Sequence, residues 1–189
     1  MIGSRMLPQL WAVRPDVPVR VPGMLVQSGS GSSSMIRLNR ILVPTDFSDF
    51  SRPAVTYACA MAERFGAQLH VLHVVPDPAM LVPEAAVFSV ESMQSQSDKL
   101  VADAQHLLQQ IPEGWQSSQP VIREVRVGAA FPEIIEYAKG QDIDLIVIGT
   151  HGRSGLSHIL MGSVAERVVR GASCPVLSVK PTGHQFVMS

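Results

Sequence analysis

Neither sign of charge dominates this chain: 15 Lys and Arg stand against 16 Asp and Glu, a formal net charge of −1 over 189 residues. A nucleic-acid or acidic-membrane binder presents a basic surface, so neither partner is expected. Long apolar runs are missing as well. None reaches the roughly 18 to 20 residues that a membrane-spanning helix needs. Cysteine is scarce, and Cys59 and Cys174 lie far apart. They read as buried thiols in a reducing cytoplasm, with a bridge or a redox role as the alternative. No Cys/His cluster has metal-ligand spacing.

Several catalytic signatures are absent too. There is no G-x-x-x-x-G-K-[ST], hence no phosphate-loop lysine, and no G-x-G-x-x-G follows a strand in the dinucleotide-binding layout. No Ser–His–Asp or Cys–His set stands out, since Cys174 abuts a proline and no base is positioned beside it. Nothing resembles a general acid/base pair.

What is present is an alternation of short apolar runs with helical patterns. The first 34 residues stand apart: prolines at 8, 15, 18 and 22 prevent helix, and Ser28 to Ser34 has linker composition. This extension reads as a disordered tail, or alternatively as a targeting segment; Met35 is an alternative start. Ile41 to Val43 then reads as a buried strand ending at Pro44-Thr45-Asp46. A helix follows, capped by Ser51 with Pro53 in its first turn, running through Val55, Ala58, Met61, Ala62 and Phe65 to a stop at Gly66. Gln68 to Val75 is a second strand, and 77–90 a mobile excursion. A long amphipathic helix carries Leu100, Ala104, Leu107, Leu108 and Ile111 on one face. Pro120 to Val127 alternates apolar and charged residues, as an edge strand does. A short helix with Ile134, Ile135 and Ala138 follows, then a strand at Leu145 to Ile148, a helix from Gly162-Ser163, and a last strand at Pro175 to Lys180.

Strict β–α alternation calls for an α/β fold with a parallel sheet covered by helices on both faces. In such sheets ligands sit beyond the carboxyl ends of the strands, where strand order reverses. Two stretches with unusual chemistry fall there: Pro44-Thr45-Asp46 and the glycine loop after Ile148. The loop's Gly149, Gly152 and Gly162 precede Ser163 at a helix start. Glycines there let main-chain N–H groups turn toward an anion, and the helix N-terminus adds partial positive charge. The arrangement suits phosphate; the plainer reading is that the glycines only end a strand and open a helix. Ser163 forms an S-x-x-E capping box with Glu166, or contacts phosphate, and the two roles can coexist. Arg153 is the loop's fixed positive charge, as a phosphate partner or a solvated arginine. His151 and His158 face either phosphate or water, and Gly155 is a loop glycine. Asp46 either accepts from ribose hydroxyls and helps hold magnesium, or starts an Asx-turn. His70 and His73 read as satisfied core or edge histidines, while the backbone near Val74 is placed to read an adenine edge.

The segments ILVPTDFSDFS at 41–51, LHVLHVV at 69–75 and LIVIGTHGRSGLSHILMGSVAERVVRGASCPVLSVK at 145–180 resemble the universal stress protein family, over Arg37 to Lys180. The family's nucleotide-binding pattern G-x2-G-x9-G-[ST] is matched by Gly149, Gly152, Gly162 and Ser163. The resemblance implies a single domain over 35–182, flanked by the 1–34 extension and a 183–189 tail. It implies an open five-stranded parallel sheet, order 3-2-1-4-5, of the adenine nucleotide alpha hydrolase-like kind. It also implies ATP as ligand, with Mg²⁺ near Asp46. Ile148, Gly149, Thr150, His151, Gly152, Arg153, Gly162, Ser163 and Val164 match the phosphate and ribose region; Pro44, Thr45 and Val74 match the adenine side. The family implies a homodimer through the strand at 176–179. The function so implied is a nucleotide-binding stress sensor with slow or no hydrolysis. The alternatives are a dimeric interaction module without nucleotide, and a true ATP-consuming enzyme of the same fold.

Overall fold

Ile41, Leu42 and Val43 have no solvent exposure at all, and Ile146 and Val147 beside them have none either. Side chains that alternate direction along a strand are all buried only when both faces of the sheet are covered. That is the architecture found in the computed structural model, which describes residues 36–78, 90–115, 119–150 and 161–180, with 90–93 as backbone only. The 1–34 extension, most of the 77–90 excursion and the 183–189 tail lie outside the described residues.

Five strands alternate with four helices: β1 (Arg40–Pro44), α1 (Arg52–Phe65), β2 (Gln68–Val75), α2 (Val90–Gln109), β3 (Ile122–Val127), α3 (Ala130–Gly140), β4 (Leu145–Gly149), α4 (Ser163–Gly171) and β5 (Val176–Val179). All pairings are parallel, in the order β3-β2-β1-β4-β5 that the family resemblance implies. Registers are tight: Leu42 lies opposite His70 on one side and Ile146 on the other. One core layer joins Ile41, Val43, Leu69 and Val71 to Ala54, Ala58 and Ala62 of α1 and Leu108 of α2. The second joins Leu42, Leu72, Ile146 and Ile148 to Ile134, Tyr137 and Ala138 of α3 and to Ala165 and Val168 of α4. β3 is an edge strand, and Ile122 and Val127, which point to opposite faces, are both left partly exposed.

Helix ends follow local chemistry, with two departures from expectation. Gly66 takes the left-handed conformation at φ 66°, its N–H reaching Glu63 O while Ala67 N bonds Ala62 O, so it ends α1 as its sequence suggested. Ser51 does occupy the N-cap position of α1, yet its side chain makes no capping bond; its backbone is already helical, at φ −85° and ψ −20°. The apolar stripe of α2 is also narrower than its spacing suggested. Ala104 and Leu108 are buried, but Leu100 and Leu107 are 41% and 44% exposed. Ile111 falls beyond the helix end and is partly buried against the first core layer.

Asp144 fastens the start of β1 to the start of β4. Its Oδ2 accepts from the backbone N–H groups of Asn39 at 2.6 Å and Arg40 at 2.9 Å, while Asp144 N donates to Arg40 O. Charge-assisted bonds of this kind are the stronger class. Replacing Asp144 with Ala should lower unfolding stability by about 1.5–3 kcal/mol in urea titrations, with the m-value unchanged.

Candidate functional site

Because β1 and β4 are neighbours, the chain segments leaving their carboxyl ends face each other. Strand order reverses at this point: the chain moves from β1 outward to β3, then returns to β4 on the other side. A cavity of about 420 Å³ opens there, within the size range of small-molecule sites. Pro44, Thr45 and Asp46 line it from β1; Val74 from β2; Ile148, Gly149 and Thr150 from β4; Gly162, Ser163 and Val164 from the start of α4. The expected site residues His151, Gly152 and Arg153 lie outside the described residues.

Ser51, His73, Ala130, Ile134 and Ala165 line the cavity as well, and were not singled out for it in the sequence. Ala130 and Ile134 were recoverable in principle, since a helix that follows β3 must begin at the carboxyl end of the sheet. With Val74 and Ile148 they form apolar walls suited to a flat ring.

The turn after β1 is held by its own side chains. Ser51 Oγ donates to Ser48 O at 2.9 Å, so the 3.0 Å contact between Thr45 Oγ1 and Ser51 Oγ has the threonine as donor. Thr45 Oγ1 in turn accepts from Phe47 N at 3.1 Å. The Asx-turn reading of Asp46 is realised: Oδ1 accepts from Ser48 N at 3.1 Å and from Ser48 Oγ at 2.6 Å. The same carboxylate borders the cavity, so the turn orients it rather than competing with a ligand. Phe47 sits at φ 64°, a strained region for a bulky residue. That twist lays its ring over His73 at 4.2 Å between centroids, while His73 Nδ1 donates to Thr45 O at 2.7 Å. His73 is therefore a fixed wall of the cavity, as well as the buried histidine expected.

At the opposite wall Thr150 N donates to Val179 O at 2.9 Å and Gly162 N donates to Thr150 O at 2.6 Å. These bonds bring the two ends of the glycine loop together beside β5. The expected capping box does not form. Gly162 itself is the N-cap, in extended conformation, and no side chain caps the helix. Ser163 thus falls inside the first turn, one position too late to cap, and Glu166 pairs instead with Arg170 at 3.0 Å. The helix N-terminus is left without an internal acceptor from the capping residue, and its first turn faces the cavity. Such an end can bind an anion.

Both thiols are free, as their separation suggested: Cys59 is buried and Cys174 half-buried. Burial pushes the Cys59 thiol up to about 11, so it stays protonated. Among the described residues no group of three or more His, Cys, Asp or Glu gathers as a metal site, and no helix is long and apolar enough to cross a membrane.

With this geometry in hand, the chain was compared with known proteins. The model of the universal stress protein family matches residues 37–180. A universal stress protein of Methanocaldococcus jannaschii is 37% identical over 144 residues, covering 75% of this chain and 81% of that protein. The solved structure of the universal stress protein UspA from Lactobacillus plantarum superposes with a TM-score of 0.65 at 30% identity, covering 76% of this chain and 99% of that one. More distant likenesses, of the fold alone, include a universal stress protein in complex with cAMP (TM-score 0.52, 22% identity, 78% of this chain and 100% of that one). Another is a family protein from Arabidopsis thaliana with AMP bound (TM-score 0.53, 19% identity, 77% and 93%).

His70 is a core histidine, but not the fully satisfied one expected. It is 2% exposed, with Nδ1 2.9 Å from the Tyr137 hydroxyl, and its Nε2 is buried without a partner. Desolvation, aided by the Arg40 charge, holds its pKa below the usual 6.5, so the folded protein keeps it neutral. The unfolded chain binds a proton there as pH falls through 6.5, whereas the folded chain does not. Stability is therefore full above that pH and is lost below it, with a slope of up to about 1.4 kcal/mol per pH unit. His70→Phe should flatten this acid-side slope in denaturation curves recorded between pH 7 and pH 5.

Proposed function

The chain belongs to the universal stress protein family, and on that premise we propose that its crevice binds an adenine nucleotide, ATP foremost, as a stress-response sensor or regulator. One observation carries this reading: Pro44–Asp46, Gly149–Thr150 and Gly162–Val164, far apart in sequence, border a single cavity onto which a helix N-terminus opens. The apolar side, Val74, Ile134 and Ile148, suits the base. The α4 terminus, with Gly162 presenting no side chain, suits the phosphates.

The fit extends to a metal brought in with the nucleotide. Magnesium keeps several waters and takes one or two protein carboxylates plus phosphate oxygens. Asp46 is the carboxylate among the described lining residues, and the Ser48 bonds fix its orientation. A magnesium ion there would neutralise phosphate charge. Hydrolysis is expected to be slow or absent. No lysine stands among the described lining residues, and His73 is held by Thr45 O and the Phe47 ring. The neighbours holding cAMP and AMP are likenesses of fold, and they support adenylates as the class of ligand this architecture accepts. The same family reading extends to a cytoplasmic protein that dimerises through β5, which offers an open sheet edge.

Millimolar ATP with magnesium should raise the melting temperature. At a hundred times Kd the linkage is worth about 2.7 kcal/mol. The Gly149→Val/Gly162→Val double variant should lose that shift while still folding. Melting curves left unmoved by both ATP and AMP would overturn the proposal in favour of an interaction module without nucleotide.

Ser163 separates the two roles weighed for it. Because its side chain caps nothing, Ser163→Ala should change ligand-free stability by less than about 0.5 kcal/mol. The same variant should weaken ATP severalfold, the loss of one hydroxyl–phosphate bond. A large stability loss with unchanged affinity would return the residue to a structural role.

A further inference from the structure

A second cavity, of about 550 Å³, lies on the opposite face of the sheet, between α1 and the end of α2. We propose that it binds an amphiphilic organic cation, an apolar chain or ring system carrying an amine at one end. Phe47, Val55, Leu107, Ile111 and Trp115 give it an apolar wall, beside polar side chains such as Thr56 and Gln110. Leu107, one of two leucines of the α2 stripe left partly exposed, borders this groove.

The charges are placed asymmetrically. Both helices run antiparallel to the strands, so the last turn of α1, with Glu63, and the segment just after α2, with Glu113, lie toward the amino end of the sheet. Gln119 Nε2 donates to Gly66 O at 2.8 Å, which ties the chain after α2 to that end of α1. Arg52 stands at the other end, about 17 Å from Glu63 by the rise of α1, and is already paired with Asp49 at 3.2 Å. Neither Glu63 nor Glu113 has a cationic partner among the described residues. A partly apolar trough with two carboxylates at one end favours a cationic head over a neutral or anionic one, because Arg52 at the other end is paired and Arg123 is turned onto the carbonyls of Leu108 and Ile111.

The inference does not depend on the nucleotide reading, although Thr45 and Ser51 line both cavities and form the wall between them.

The chain's two tryptophans are Trp11 and Trp115, so in a Trp11→Phe background the emission reports on the groove. Decylamine, decanol and decanoate, each below its micelle concentration, would be titrated into the full chain without nucleotide. Decylamine should give a saturable change, with decanol about tenfold weaker and decanoate weaker still. Glu63→Gln/Glu113→Gln changes two exposed positions and should bring the amine down to the affinity of the alcohol while leaving alcohol binding intact. Ala60→Phe, at an exposed position lining the groove, should abolish all saturable binding. The proposal fails if no probe saturates, if decanoate equals or exceeds decylamine, if the amine preference survives the double carboxamide variant, or if binding survives Ala60→Phe.

Discussion

The parallel pairing of β1 with β4 is the constraint on which the rest of this structure depends. Ile41 to Val43 and Leu145 to Ile148 are buried on both faces, so neither strand can slip without exposing apolar surface or burying polar backbone. With those two side by side, the turn at Asp46 and the loop after Gly149 have to open into the same space. The Asp144 carboxylate reinforces the pairing at the amino end. At the carboxyl end the bonds from Thr150 to Val179 and from Gly162 to Thr150 close the loop onto β5.

The turn from Thr45 to Ser51 is the second organising feature. Thr45 and Ser51 are buried, at 6% and 5% exposure, and a buried hydroxyl is costly unless paired. Each is satisfied by the other and by the turn's own backbone. The network leaves the Asp46 carboxylate facing one cavity and the Phe47 ring facing the other, with His73 clamped between Thr45 O and that ring. A short polar turn thereby becomes a rigid partition between two cavities. The left-handed conformation of Phe47 is strain of the kind that persists where its surroundings fix it.

Membership of the universal stress protein family fits this layout, because the matched region, 37–180, contains every strand and both segments that build the crevice.

Much of this could be read from residue order alone. Continuous apolar runs marked β1 and β4 as buried strands, the alternation in β3 marked an edge, and Gly66 marked a helix end; each is a local consequence of side-chain pattern or backbone freedom. The PTD turn and the glycine spacing marked which strand ends carry chemistry. Three-dimensional packing decided what local pattern could not. It moved the cap of α4 from Ser163 to Gly162 and so dissolved the box with Glu166, because helix phase is set by the packing of Ala165 and Val168 in the second core layer rather than by the S-x-x-E spacing. It turned the Ser51 hydroxyl from capping α1 to pairing with Thr45, and it brought His73, Ala130 and Ile134 into the crevice from elements with no glycine or acid to announce them. Burial reports to each residue individually, whereas a cavity exists only where several elements fail to fill the space between them, and that is a property of their arrangement.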